Sequence, residues 1–426
     1  MAGVASDVLG GFQAIVGEAH ARPAGPDDAV DGLAPEVVVE PGSAEEVGET
    51  LRYARSRGLA VVPRGAGTKL GWGGPPRRAD VVLGTRRLDR VVEHEAGDLV
   101  ATAQAGVRLG AFQAQVSAAG QRLALDPPED GTLGGTVSAN ASGPLRHRYG
   151  TARDLLIGIR VVLSDGTAAK AGGKVVKNVA GYDLGKLFTG AFGTLGVVVE
   201  ATFRLHPRPR ERRLVLLEVD APAAAASAVQ ALLHSSLTPA AVELRWPEPA
   251  GGGSLAVLFE GTGRAVDAES RRAVGELQGE GATQVLEGPA LEREWSERTA
   301  LPFGGAAVGL KVGARPADLA RVIEAVESAS AEASLAPRIA GRAAVSALLL
   351  GLFGGEAEAH VRAVSRLRAE LGSAAHVAVL HAPPGLKPLL DVWGPLERGS
   401  LDLMRRVKAR LDPDGTLSPG RFVGGI

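Results

Sequence analysis

Apolar and polar residues alternate at two different periods along this chain, and the changes of period mark its elements. The first thirty residues predict a helix (about Ala5 to His20) and then a Pro/Gly/Asp loop. Val37–Val39 is a short apolar run closed by Pro41 and Gly42. Ser43 with Glu46 has the spacing of a capping box, which starts a helix running to about Ser56. Gly58 stops that helix, and Leu59–Val62 predicts a buried strand. The stretch PRGAGTKLGWG, Pro63–Gly73, begins where the strand ends. ADVVLG, DRVVEHE and DLVATAQAG predict further strands. Val107 to Ala119 predicts a helix with Leu109, Phe112 and Val116 on one face. LLIGIRVVLSDGTAAKA predicts a hairpin turning at Asp165-Gly166. In GVVVEATFRLHP the alternation is strict: Val197, Val199, Ala201, Phe203 and Leu205 face one way, Glu200, Thr202 and Arg204 the other.

After Pro207 and Pro209 the pattern changes. Strand, helix, strand, strand, helix, strand follow in the order of a split ferredoxin-like unit. A charged helix near Leu291 to Arg298 comes next, and then a similar order recurs: AAVGLKVGA, a helix from about Pro316, strands within Pro337–Leu352, a helix from about Glu356, and HVAVLHA. The chain therefore predicts an α+β protein with two such units side by side. The tail, ERGSLDLMRRVKARLDPDGTLSPGRF, predicts a basic amphipathic helix and a turn.

Composition narrows the chemistry. The chain has 426 residues, enough for two or three domains, and 47 basic against 48 acidic residues. That balance argues against a nucleic-acid or anionic-membrane partner. There is no cysteine, which excludes disulfides, thiolate zinc sites and Cys-ligated clusters within this chain. The N-terminus lacks a basic region and carries Asp7, unlike a signal peptide. The longest apolar run, Ala343–Gly355, is too short to cross a bilayer. A cytoplasmic protein without a transmembrane segment is expected.

Three segments carry candidate chemistry. In PRGAGTKLGWG, glycines leave the backbone bare beside Arg64 and Lys69, so N–H groups can converge on an anion. The spacing is neither GxxxxGK[ST] nor a GxGxxG that opens a helix, and a plain glycine-rich turn is the competing reading. Asp126–Gly158 is punctuated by glycines among small residues, a surface suited to a flat ring or a pyrophosphate, or else a domain seam. Gly172–Pro209 sets Lys177-Asn178, Tyr182-Asp183 and GTLG beside a buried strand.

Together and in this order, PRGAGT, TLGGTVSANASG…RYGTARDLLIG and KNVAGYDLGKLFTGAFGTLGVVVEATFRL resemble the FAD-binding domain of the vanillyl-alcohol oxidase/p-cresol methylhydroxylase (PCMH-type) superfamily. GGKVVKNVAGYDLGKLFTGAFGTLG and the closing LDPDGTLSPGRF are similar to the branch holding glycolate oxidase subunits and D-lactate dehydrogenases, above all the family of the E-type FAD-binding subunit of glycolate oxidase. The resemblance implies a PCMH-type FAD-binding domain of two α/β subdomains over 35–209 and a ferredoxin-like antiparallel-sheet cap over 210–395. An N-terminal helix and loop (1–34) precede them, and a C-terminal helix and turn (396–426) return to the FAD domain. It implies that the anion is the FAD diphosphate, held by Arg64, Gly65, Ala66, Gly67 and Thr68, with Gly71 and Trp72 behind. Thr132, Gly134, Gly135, Ser138, Asn140 and Gly143 would lie along the diphosphate, ribityl chain and ring. Tyr149, Gly150, Arg153 and Asp154 match the next block, and Gly196 and Val197 would close the adenine or diphosphate side. Covalent members carry histidine in the first loop. Thr68 stands there in this chain, which implies non-covalent FAD.

One part of the family pattern is missing. The self-sufficient members carry a C-terminal HxxxGDGNxH metal and substrate motif, and this chain does not. His376 and His381 are spaced by five without nearby carboxylates, so no metal is expected. His147, Tyr182 and Asp183 are candidates for groups near the ring, against ordinary loop and capping roles. A flavin accepts a hydride from a carbinol carbon once a base takes the hydroxyl proton, and the sequence offers no obvious base. The resemblance therefore implies an FAD-binding subunit of a glycolate oxidase complex that relays electrons from 2-hydroxyacid oxidation. Its partners would be a sister FAD-containing subunit and an iron–sulfur subunit, with peripheral membrane association only through them. The alternatives are a stand-alone 2-hydroxyacid (D-lactate-type) dehydrogenase, or a structural subunit with a vestigial flavin pocket. The flavin-dependent enolpyruvyl reductase shares the domain but fits the tail poorly.

Overall fold

The computed structural model describes residues 2–174, 182–248, 251–396 and 398–426, so Lys177 and Asn178 lie outside the described residues. The chain divides into two compact units: residues 1–142, 151–208 and 395–426 form the first, and 143–150 with 209–394 the second.

The first unit holds two main sheets. Strands β1 (Ala21–Pro23), β2 (Val37–Val39), β3 (Val61–Arg64) and β4 (Val81–Gly84) pair in the order β1-β2-β4-β3. β2, β4 and β3 run parallel and β1 antiparallel. Parallel strands are covered on both faces, so their sequences are apolar runs rather than alternations. VVV and VVLG are buried throughout. The helix Ala44–Ser56 makes the crossover between β2 and β3. Half of the expected capping box forms: Ser43 Oγ accepts from the Glu46 N–H, while Glu46 Oε2 accepts from the Gly42 N–H, one residue ahead of the cap. The N-terminal helix covers Ala2–Val16 instead of reaching His20. Gly17, at φ 89°, stops it in a backbone state that favours glycine, and Glu18–His20 is a single 3-10 turn.

The second sheet is antiparallel: β5 (Val91–Glu95), β6 (Val100–Gln104), β8 (Leu156–Val162), β9 (Ala168–Gly172) and β10 (Val197–Arg204), in the order β5-β6-β10-β8-β9. The β8–β9 hairpin turns at Asp165-Gly166, where Asp165 Oδ1 accepts the Thr167 N–H at 2.8 Å. β7 (Gln121–Arg122) and β11 (His206–Pro207) form a separate two-stranded ribbon. The C-terminal segment returns to β3, where Leu417 pairs with Val61. The Val61 N–H donates to Thr416 O and the Ser418 N–H to Val61 O.

The second unit is one eight-stranded antiparallel sheet. Its strands are β12 (Glu211–Val219), β13 (Ala241–Trp246), β14 (Gly253–Gly261), β15 (Thr283–Leu286), β16 (Val308–Ala314), β17 (Ala336–Arg342), β18 (Ala347–Phe353) and β19 (Ala375–His381). The order is β15-β12-β14-β13-β17-β18-β16-β19. Each half has its first strand between its third and fourth, with the second at one end, and the halves join through β13 and β17. These are the two ferredoxin-like units that the repeated element order predicts. One face of the sheet packs Val242, Leu244, Val308, Leu310, Val312, Leu348, Leu350, Val377 and Val379 into the main core. Helices Pro222–His234, Leu319–Glu332 and Ala357–Leu371 contribute their apolar stripes to that core. On the other face, Leu291 and Trp295 of helix Gly288–Thr299 cover Leu214, Ala256 and Leu258.

Candidate functional site

A solvent-open cleft lies in the first unit. The end of β3 and the following loop form one wall, Val62 to Leu70. The helix Leu133–Ala139 forms a second, and Phe192 to Val198 with Arg421 the rest. The structure thus brings together Arg64, Gly65, Ala66, Gly67, Thr68, Thr132, Gly134, Gly135, Ser138, Gly196 and Val197. Gly71, Trp72, Asn140, Arg153 and Asp154 belong to the first unit but are outside this lining. Gly143, Tyr149, Gly150 and His147 belong to the second unit.

The loop is built to expose its backbone. The N–H groups of Gly65, Ala66, Gly67 and Thr68 have no acceptor among the described residues. Gly65, Ala66 and Gly67 are half-buried, and amides so placed are ordinarily satisfied, so three in succession, with the exposed Thr68 next to them, mark an anion-binding concavity. Gly65 has to be glycine: a Cβ there would stand 2.0 Å from Thr132 Oγ1. Gly67 takes φ +83°. The helix Leu133–Ala139 contributes shape rather than amides. The Gly134 N–H donates to Ala105 O and the Gly135 N–H to Thr132 Oγ1, so neither amide is available to a ligand. What this helix offers is a small-residue surface. A Cβ on Gly134 would stand 2.6 Å from Ala105 Cβ, so glycine lets the helix sit against the backbone after β6.

The two cations that frame the loop are both already paired. Arg64 Nη2 lies 2.9 Å from Asp28 Oδ1, and Lys69 Nζ 3.0 Å from Glu129 Oε2. Asp28 is also bonded by Arg22, and these contacts hold its carboxyl well below the usual range against the effect of burial. Arg64 and Lys69 therefore shape the loop while the amides face the cleft. Trp72 supports the loop from behind: Arg421 Nη2 donates to Leu70 O and Trp72 O, both at 2.8 Å, and Lys69 sits over the indole at 5.6 Å. Burial lowers the Arg421 guanidinium and Asp31 raises it. Sequence reasoning missed Arg421, Thr85 and Phe192 as cleft residues. The SPGRF turn was available as a signal for the first of these.

The other candidates take local roles. Asp154 Oδ2 accepts from the Thr151 N–H and hydroxyl, which caps the turn Ala152–Leu155. Asp183 Oδ1 accepts from the Lys186 N–H, a helix cap, and Tyr182 is 92% exposed. Burial lowers the His147 imidazole, and its Nδ1 has no hydrogen-bond partner among the described residues. The described residues contain no group of three or more His, Cys, Asp or Glu placed to hold a metal, and no helix among them is long and apolar enough to cross a membrane.

Two buried polar atoms of residues 133–140, Asn140 Oδ1 and Thr136 Oγ1, also lack partners among the described residues. Four free amides, these orphan oxygens and the small-residue surface fit a dinucleotide with a diphosphate.

The comparisons with known proteins agree. The family described as the FAD binding domain matches residues 35–172, and the C-terminal domain of FAD linked oxidases matches residues 393–422. Glycolate oxidase subunit GlcD of Bacillus subtilis is 35% identical over 211 residues, 49% of this chain and 45% of that protein. D-lactate dehydrogenase of Archaeoglobus fulgidus is 34% identical over 251 residues, 54% of this chain and 56% of the other. Glycolate oxidase subunit GlcE of Escherichia coli is 36% identical over 165 residues, covering 38% and 47%. The chain spans about half the length of these curated relatives. Among solved structures, p-cresol methylhydroxylase with substrate bound aligns over 99% of this chain and 97% of its own, with a TM-score of 0.77 at 16% identity. This chain thus carries an FAD binding domain and the C-terminal domain of FAD linked oxidases, on the fold of p-cresol methylhydroxylase, and FAD is its cofactor.

Proposed function

We propose that the chain is the FAD-binding subunit of a glycolate oxidase complex, an FAD-dependent 2-hydroxyacid dehydrogenase. The observation that carries this reading is the run of four unpaired amides at Gly65–Thr68, in a domain similar to both GlcD and GlcE. Bound there, FAD supplies a two-electron acceptor. The Gly65–Thr68 amides would take the diphosphate oxygens, and Ser138 and Val197 would flank the chain of the ligand. Thr68 stands where covalent members carry histidine, which supports non-covalent attachment. In this reading a sister flavoprotein subunit and an iron–sulfur subunit complete the complex, and this chain passes electrons between them in the cytoplasm.

A second reading, a chain that oxidises a 2-hydroxyacid itself, is favoured by the buried carboxyl of Glu243, a proton acceptor in the second unit. The test is an absorbance spectrum of the chain purified alone, before and after glycolate and D-lactate. Flavin that stays oxidised with both acids supports the subunit reading. Bleaching by either supports the second reading. A protein that remains colourless even after FAD is added overturns both.

A further inference from the structure

Phe192 lines the flavin cleft with its backbone at φ 55°, a left-handed state that a bulky side chain rarely takes. Such a backbone persists only where its surroundings over-determine it. Three contacts hold it from nearby. The Phe192 N–H donates to Ser138 O at 2.9 Å, which ties the turn to the helix Leu133–Ala139. Gly193 lies against the start of the glycine loop: a Cβ there would stand 3.3 Å from Pro63 Cγ. The Phe422 ring sits 6.1 Å from the Phe192 ring, centroid to centroid. A fourth hold comes from a cation far along the chain.

Lys408 is on the C-terminal helix, Arg398–Leu411. Arg405, Arg406 and Arg410 of that helix are exposed, as its basic amphipathic pattern predicts. Lys408 turns inward, with its side chain 12% exposed. Its Nζ donates to Thr194 O at 2.7 Å, to Leu417 O at 2.8 Å and to Asp412 Oδ2 at 2.6 Å. An ammonium has three donors, so its capacity is filled. The Asp412 side chain is fully buried and takes two more bonds, from the Thr416 N–H to Oδ1 and from the Leu417 N–H to Oδ2. Leu417 in turn pairs with Val61 on β3, the strand that runs into Arg64 and the glycine loop. One ammonium thus joins the turn on one wall of the cleft to the segment behind the other.

A buried ion pair adds little net stability over an apolar pair of the same shape. Burial here lowers the Lys408 ammonium despite Asp412. What the pair supplies, and an apolar side chain could not, is direction: acceptors on residues 194, 412 and 417 converge on one atom. We infer that Lys408 is a positioning residue for FAD, its ammonium fixing the turn of residues 192–196 at the distance from the glycine loop that the cofactor needs. It acts through Thr194 O, since neither Lys408 nor Asp412 lines the cleft. The inference rests on FAD as the cofactor and holds for either function proposed above.

The test compares the FAD-loaded wild type with Lys408→Met, with the double variant Lys408→Met/Asp412→Asn, and with Ser164→Ala. Should Lys408→Met fail to fold around an uncompensated Asp412, the double variant carries the test, because it removes both charges and keeps the volume. Ser164→Ala is the control: Ser164 Oγ donates to Leu411 O at 2.9 Å, so it anchors the same helix without reaching the turn. In the double variant FAD affinity is expected to fall about tenfold or more, from the loss of two charge-assisted bonds to carbonyls. The visible circular dichroism of the bound flavin should change, and amide exchange over residues 191–196 should quicken. Ser164→Ala should keep wild-type affinity and flavin dichroism. Wild-type affinity and dichroism in the double variant would overturn the inference, whatever its stability, and would leave Lys408 a role in the fold alone. An equal loss in Ser164→Ala would overturn it too, by assigning the effect to helix docking at large. Flavin bleaching by 2-hydroxyacids tests the function proposed above and does not enter here, so either proposal can fail without the other.

Discussion

Arg64 points its guanidinium at Asp28 across the base of the glycine loop, Nη2 to Oδ1 at 2.9 Å, with the two side chains 11% and 6% exposed. The loop's first cation is thus committed to a carboxylate, and the pair fixes where the Gly65–Thr68 amides begin. Removing one partner of a buried pair leaves the other uncompensated, which costs about 3 kcal/mol. Asp28→Ala is expected to lower stability by that order and to weaken FAD retention, measured by chemical unfolding and by flavin release on dilution. The sign of the pH effect follows from the depressed carboxyl. Its contribution is fully present above the ordinary Asp value of about 4 and is lost as pH falls below it. Unfolding curves of wild type and Asp28→Ala should therefore converge in acid. A variant of unchanged stability that keeps its flavin would show that the pair does not hold the loop.

Gly65 and Thr132 touch so closely that only one of them can be large. A Cβ at 65 would stand 2.0 Å from Thr132 Oγ1 and 3.1 Å from Thr132 Cβ. Gly65→Ala is expected to abolish flavin binding in an otherwise folded chain. Adding Thr132→Ala deletes the clashing oxygen, so the double variant should recover flavin, less the loss of a helix cap worth about 1 kcal/mol. The check is flavin content per chain for the two single variants and the double. Failure of the double variant to recover would place the defect elsewhere than this contact.

Much of the first unit is legible in the chain because its constraints are local. The Ser43–Glu46 cap, the Asp165-Gly166 turn and the strict alternation from Val197 to Leu205 each act within a few residues. Gly65 is legible for the same reason, since a close approach leaves a glycine behind. What cannot be read from spacing is which distant groups the fold delivers to these positions. Asp28 sits in a Pro/Gly loop, and Arg421 in a turn at the other end of the chain. Thr132 and Gly135 illustrate a subtler gap: the residues are at the cleft, but their amide and hydroxyl bond each other. Glu243 and Arg342 occupy ordinary alternating strand positions. Only the register of an eight-stranded sheet, set by long-range pairing, makes them a pair.

Arg421 carries a prediction of its own. Its Nη2 is donor to the carbonyls of Leu70 and Trp72, and the Gly74 N–H donates back to Arg421 O. Arg421→Met keeps most of the volume and removes both charge-assisted bonds, each worth about 1.5–3 kcal/mol. FAD affinity should fall about tenfold or more, with faster amide exchange from Leu70 to Gly74 measured by mass spectrometry. Weaker flavin binding with unchanged exchange in that stretch would mean that Arg421 meets the ligand rather than the loop.

Glu243 offers the clearest dependence on pH. Burial raises its carboxyl from the ordinary 4.5 to about 7, so the folded chain holds a proton that the unfolded chain releases. Below about pH 4.5 both states are protonated and burial of the group costs nothing electrostatic. Between 4.5 and 7 the unfolded state ionises first, so stability declines as pH rises. Above 7 both states are ionised and the full cost stands, about 3 kcal/mol at most for a shift of this size. Glu243→Gln cannot ionise and should lose that slope. Its stability relative to wild type is expected to climb from about pH 5 to 7 and to level off above about 8, read from denaturant unfolding of each protein across that range. A difference that stays constant with pH would mean that Glu243 titrates normally, with its charge already matched by Arg342, Arg298 and Arg146.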